Sequence, residues 1–183
     1  MEAVAALLER HAVLCRKVDD FAARVQARHA AEMSCRAGCD GCCHARLTIT
    51  TLEAEAVRAW LAGLSLASRA AVRDAAARAQ PTRCAALDDE GRCRIYAARP
   101  LVCRSHGVPI RARSERGLPV IHACELNFVA RGPAAVEPGD VLDQETLSTV
   151  LFALDAALAR ARGAQAGARV DLAELLRADD AAT

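Results

Sequence analysis

Ten residues, Cys35-Arg36-Ala37-Gly38-Cys39-Asp40-Gly41-Cys42-Cys43-His44, carry four thiols and an imidazole. A deprotonated thiol is a soft metal ligand and a nucleophile. Gly38 and Gly41 allow positive-φ turns, so the backbone can fold back and aim several sulfurs at one point. Four more cysteines follow at 84, 93, 103 and 124, and a ninth, Cys15, stands apart. Cys39-x2-Cys42 is the chelating pair of zinc knuckles and iron–sulfur loops. The expected metal ligands are therefore Cys35, Cys39, Cys42, Cys43, Cys84, Cys93, Cys103 and Cys124. They would hold zinc or iron, the iron either as an ion or in an iron–sulfur cluster. Eight thiols could fill two four-coordinate sites, or one site with spares. Cys43 adjoins Cys42 and should point elsewhere, to serve a second metal or to bridge.

Other groups near the thiols are candidate ligands or catalysts. His44, His106 and His122 each lie within three residues of one of these cysteines, and each reads first as a neighbour rather than a ligand. His44 and His106 are the first candidates if a nitrogen is used. A thiolate nucleophile with His44 or His106 as base is a weaker reading, because a metal-bound cysteine is unavailable for attack. The windows 35–46 and 83–104 hold seven arginines (36, 46, 83, 92, 94, 99 and 104). Asp40, Asp88, Asp89 and Glu90 oppose them, so seven minus four leaves three positive charges. Such an excess would offset negatively charged thiolate sites, and arginine N–H groups could bond the sulfurs. No catalytic residue is assigned. Cys35-x3-Cys39-x2-Cys42 also matches the loop of radical S-adenosylmethionine enzymes. That reading is rejected, because a helix precedes the loop here and too few strands exist for their barrel.

The elements that must position these groups are mostly helical. Residues 2–31 read as one amphipathic helix with Val4, Leu7, His11, Leu14, Val18, Phe21 and Val25 on its seam. The seam would pack on its own domain, or else mediate a homodimer or protein partner. His11 and Cys15 read as buried core residues. Thr50 and Glu53 form a capping box that opens a helix over 51–62, ended by Gly63. Ser65 caps a second helix over 66–79, ahead of Pro81. This hairpin should close the cysteine cluster from one side. Asp88-Asp89-Glu90-Gly91 is a turn. Residues 92–96 read as a short strand or helical turn, and Arg99-Pro100 starts another element. Residues 108–113 and 118–122 should pair as a small β-hairpin. Asp143 caps a helix over 144–162 with Leu147, Val150, Leu151, Leu154 and Leu158 as its stripe. A last helix over about 171–178 is followed by an acidic, frayed tail. The fold class is mainly α, an irregular helical domain with a small β-hairpin, organised around a cysteine-rich metal centre. One domain is expected over 1–183, comprising the helix 1–31, a metal-binding core 35–124 and C-terminal helices 140–178.

Composition narrows the partners. Net charge is +1, with one lysine, Lys17, among 24 basic residues. So balanced a chain has no field to draw it to nucleic acid or anionic lipid. No run of about 18 uncharged apolar residues exists to span a membrane. The N-terminal stretch, with Glu2, Glu9 and Arg10, does not read as a secretory signal. The expected compartment is the reducing cytoplasm, where closely spaced cysteines serve metals or redox chemistry rather than disulfides.

Two blocks then resemble a known family. The first is Cys35-x3-Cys39-x2-Cys42-Cys43 with Thr50-x2-Glu53. The second is Cys84-Ala-Ala-Leu-Asp-Asp-Glu-Gly-Arg-Cys93-Arg-Ile-Tyr96, continued by Arg99-Pro100-x2-Cys103-Arg104. Together they cover about residues 35–107 and resemble the YkgJ-like cysteine-cluster family, named for chelation of zinc or iron. Ala85 replaces the proline that often follows the first cysteine of the second block, which should alter the turn there and not the ligand set. The resemblance implies metal chelation. A related motif in a flagellin lysine methylase-like group keeps an enzymatic reading open, although no glycine-rich fingerprint for a methyl donor is present.

Overall fold

The computed structural model describes residues 2–178, so the acidic tail falls outside the described residues. Six α-helices and two small sheets are formed among the described residues. Helix α1 (Glu2–Arg28) is the longest, at 27 residues. It buries Leu7, His11, Cys15, Val18 and Val25, which follow steps of three, four or seven residues as one helix face requires. That face is used within the chain. Leu7 packs with Leu52, Leu154 and Leu158, Cys15 and Val18 with Leu101, Leu147 and Leu151, and Val25 with Val108, Phe128 and Val136. His11 and Cys15 are buried against each other, 3.5 Å apart from Nε2 to Sγ. The helix ends three residues before the expected boundary, where Arg28 and His29 turn to a fully buried carboxylate. Arg28 Nη1 donates to both oxygens of Asp140 at 2.8 and 2.9 Å, and His29 Nε2 lies 2.9 Å from Oδ2.

Helix α2 (Thr51–Ala62) and helix α3 (Leu66–Arg78) form where expected, joined by the short connection 63–65. Both arms of the capping box at Thr50 and Glu53 are made, and Ser65 Oγ accepts from Ser68 N. With α6 (Leu172–Arg177) they enclose the largest apolar cluster, which includes Ile49, Val57, Ala76, Ala86, Ile95 and Leu176. Cys84 and Cys93 lean on this cluster, so two of the cysteines are backed by these helices. Helix α4 (Leu101–Ser105) is a single short turn, and α5 (Gln144–Ala161) starts at the Asp143 cap. On α5, Val150 is exposed and Asp155 takes a place on the buried face. The Asp155 carboxylate accepts from Leu52 N at 2.8 Å, which ties α5 to the first turn of α2.

The sheets join segments far apart in sequence. Strand β1 (Thr48–Thr50) pairs antiparallel with β5 (Arg169–Asp171), Thr48 opposite Asp171. Strands β2 (Ile110–Arg113) and β3 (Pro119–His122) make the expected hairpin, and β4 (Leu142–Asp143) adds in parallel to β2. Strand β2 starts two residues after the expected position because Pro109 has no N–H to pair. Its carbonyl accepts instead from Leu142 N at 2.8 Å. Residues 92–96 form no strand. Cys93 makes an isolated bridge with Leu87, and a 3₁₀ turn follows at Tyr96–Ala98.

Candidate metal centre

The first cysteine loop is a series of tight turns. Cys39 N donates to Arg36 O and Cys43 N to Asp40 O, and Gly41–Cys43 form a 3₁₀ turn. Gly38 has the positive φ that was expected, +83°, while Gly41 does not. The second cysteine block is pinned to the first by backbone, since Cys84 N donates to Cys43 O at 2.8 Å. Arg83 Nη2 donates to Asp40 Oδ2 at 3.1 Å, and Gly91 packs on Gly38 O. Within the second block, the Asp88 carboxylate accepts from the backbone N–H of Glu90 and Arg92. That closed turn brings Cys93 back beside Cys84.

Glu53 places the next sulfur. Its carboxylate is 4% exposed. Oε2 accepts from Thr50 N and Oγ1 at 2.9 and 3.0 Å, and Oε1 accepts from Leu101 N at 2.9 Å. The same side chain therefore caps α2 and satisfies the first turn of α4, which carries Cys103. Both Glu53 oxygens are committed to these bonds.

Cys124 leaves β3 and meets Cys35 through Asn127. Asn127 N donates to Cys124 O at 2.9 Å. Its side chain, on a residue only 3% exposed, donates from Nδ2 to Gly107 O at 2.7 Å and to Cys35 Sγ at 3.3 Å. Its Oδ1 accepts from Ser34 N at 2.7 Å. Gly107 lies under the same sulfur at φ +102°, and a Cβ there would sit 2.8 Å from Cys35 Sγ. Only glycine fits this position. Asn127 and Gly107 were not singled out from sequence. The available signal was an asparagine three residues beyond the last cysteine, a residue type that often ties loop backbone together.

Six of the seven arginines bond groups other than sulfur. Arg36, Arg46, Arg83, Arg92, Arg99 and Arg104 donate to carboxylates or backbone carbonyls. The amide of Asn127 supplies an N–H to sulfur instead. Arg104 is buried, paired with Asp19, and its Nη2 donates to Ala97 O at 2.7 Å. The Arg99 guanidinium lies 3.9 Å over the Tyr96 ring. These contacts fix the segment between Cys93 and Cys103 onto α1.

Cys42 and Cys43 stand with their sulfurs 3.9 Å apart. A hydrogen bond from Cys43 pulls the Cys42 thiol down to about 6, and the same bond pushes Cys43 up. Burial raises Cys35, Cys84 and Cys93. Desolvation of its sulfur pushes Cys103 up to about 12, though the residue as a whole is exposed. His106 is exposed and faces Cys42 closely enough to lower its thiol, His44 lies 3.6 Å from Asp40, and His122 is exposed on β3. Two cavities of about 190 and 210 Å³ meet at Gln80, Arg83 and Cys84.

All nine cysteines are free thiols. Soft sulfur donors in this number suit zinc or iron. As the side chains stand, no group of three or more His, Cys, Asp or Glu among the described residues is placed to hold a metal ion. A bound metal would have to draw the sulfurs inward, as is common where ligation and local folding are coupled.

Residues 34–124 match the family model described as "CxxCxxCC: Putative zinc- or iron-chelating domain". Over that stretch the chain belongs to this family. No curated protein and no solved structure matches the chain. No helix among the described residues is long and apolar enough to cross a membrane.

Proposed function

We propose that this is a thiolate metal-binding protein whose eight clustered cysteines, 35, 39, 42, 43, 84, 93, 103 and 124, hold zinc or iron. Its role is structural, metal-handling or redox, and its compartment is the reducing cytoplasm. The observation that supports this is the match of residues 34–124 to a zinc- or iron-chelating family, together with eight unpaired thiols along that stretch and Cys15 left apart in the core. Zinc is the first choice, because four-thiolate tetrahedral sites suit it. Bound there it would cross-link the segments, and iron would add redox chemistry.

Elemental analysis and a visible spectrum of anaerobically purified protein test this reading. Near-stoichiometric zinc and a colourless solution are expected. A brown protein with bound sulfide would replace zinc by an iron–sulfur cluster, and metal-free protein would reject chelation. Cys39→Ser should lose most of the metal and Cys15→Ser none.

A second reading is an iron-dependent enzyme with one coordination position open to solvent. The cavities meeting at Cys84 favour it. An electron paramagnetic resonance signal of bound iron that changes with an added small ligand would support it. The third reading, a zinc-stabilised interaction module, would need a face other than the α1 seam, which Leu52, Leu101 and Leu151 already cover.

A further inference from the structure

We propose that Cys42 and Cys43 form a two-sulfur binding site for trivalent arsenic, taken up as an oxide that carries one organic substituent. This goes beyond the chelation reading above and does not rest on it. It adds a ligand class that needs two thiols rather than four.

The two sulfurs are 3.9 Å apart. Among the described residues no other two thiols are in hydrogen-bond contact, and no three ligating groups stand together. The chain as it stands therefore presents one pair of soft donors, too few for a closed shell of four. Trivalent arsenic is soft, and with one carbon substituent it has two bonds left to make, both of which sulfur fills well. Cys42 is exposed and Cys43 half-buried, so the pair can be reached from solvent. The backbone that carries it is pinned on both sides. Cys43 N donates to Asp40 O at 2.7 Å, Cys43 O accepts from Cys84 N at 2.8 Å, and Gly41–Cys43 form one 3₁₀ turn. Little freedom remains to be lost on binding, which favours this pair over thiols that must first be drawn together.

A direct disulfide is the competing fate of two adjacent thiols. Neighbouring Cα atoms are about 3.8 Å apart across a trans peptide, closer than the roughly 4.4–6.8 Å that a disulfide usually spans. An arsenic atom placed between the sulfurs leaves them unbonded to each other and avoids that strain. In the reaction with R–As=O the As=O bond breaks and two As–S bonds form. The two thiol protons leave with the oxygen as water. Arsenic stays trivalent throughout, so neither oxidant nor reductant is consumed.

The test uses the reduced, metal-free full-length chain under argon with an equimolar amount of phenylarsine oxide. Excess 2-mercaptoethanol then strips arsenic held by one sulfur and leaves a closed two-sulfur ring. Intact-mass spectrometry should show wild type keeping a single phenylarsenic group, its mass that of phenylarsine oxide less one water. Cleavage after Arg36 and Arg46 releases peptide 37–46, and its fragment ions should place the arsenic across Cys42 and Cys43. Cys42→Ser and Cys43→Ser should each hold the group about 10²-fold less well, because the second bond of the pair is intramolecular. Circular dichroism identifies a variant that has not folded, and the wild-type fragment map then decides alone. No retained group, retention at wild-type strength in either folded variant, or a map on Cys39 with Cys42 overturns the proposal. A chain that takes up no zinc or iron yet keeps arsenic on Cys42 and Cys43 rejects chelation and supports this site.

Discussion

The two halves of the cysteine region are held in different ways. Cys84 and Cys93 lean on an apolar cluster built from α2, α3 and α6, with Ala85, Ala86 and Ile95 buried around them. Cys35 and Cys124 sit in loops whose hold is polar, through Asn127, Ser34 and the carbonyl of Gly107. Apolar burial at about 25 cal/mol per Å² is cumulative and non-directional. A hydrogen bond contributes only about 1 kcal/mol net, but leaving a buried partner unmade costs more. The core-backed half should therefore keep its backbone in place with or without metal, while the loop-held half should depend on metal for its order.

The largest effect should come from Ile95→Ala, which empties a fully buried site behind Cys93. Truncations of this kind cost about 2–5 kcal/mol. Denaturant unfolding should show the loss in metal-free and metal-loaded protein alike, and a loss seen only in the loaded form would break the contrast. Gly107→Ala comes next. Its φ of +102° and the approach to Cys35 Sγ at 2.8 Å should together cost about 1–3 kcal/mol. Metal bound through Cys35 should be weakened more than global stability. Gly117→Ala, also at positive φ but with nothing within 4 Å, should leave metal content unchanged. Asn127→Ala should cost about 1–2 kcal/mol. Hydrogen exchange would localise the effect, with faster exchange at Ser34 and around Cys124 but not around Ile95.

The smallest effect concerns acid and lies outside both halves. Burial alone would raise the Asp140 carboxyl, but hydrogen bonds from His29 and Arg28 outweigh this and hold it below its ordinary 3.8. A carboxyl depressed in the folded state contributes stability above that value, and the contribution disappears as pH falls through the folded pKa. Wild type should therefore lose stability relative to Asp140→Asn as pH drops below about 4. Parallel curves would mean that the carboxylate at the end of α1 carries no such contribution.

Much of this arrangement could be read from local sequence. Thr50, Ser65 and Asp143 cap the helices expected of them, because a cap depends on residues three positions away. The β2–β3 hairpin was visible for the same reason. The β1–β5 and β2–β4 pairings were not, since strands of two to four residues carry little periodicity and their partners lie far along the chain. The stripe on α5 was misjudged at Val150, because Asp155 is drawn inward by the N–H of Leu52, a contact 103 residues away. The eight cysteines stood out by their spacing as candidates, but Asn127 and the second role of Glu53 depend on where α4 and the loop after β3 come to rest.

The short gap between the sulfurs of Cys42 and Cys43 also affects the order of events. Two anions at contact distance repel, so giving up the first proton makes the second harder to remove. An arriving cation relieves that repulsion for both neighbours at once. Metal uptake through these sulfurs should then be proton-linked, since ligation requires the thiolate form.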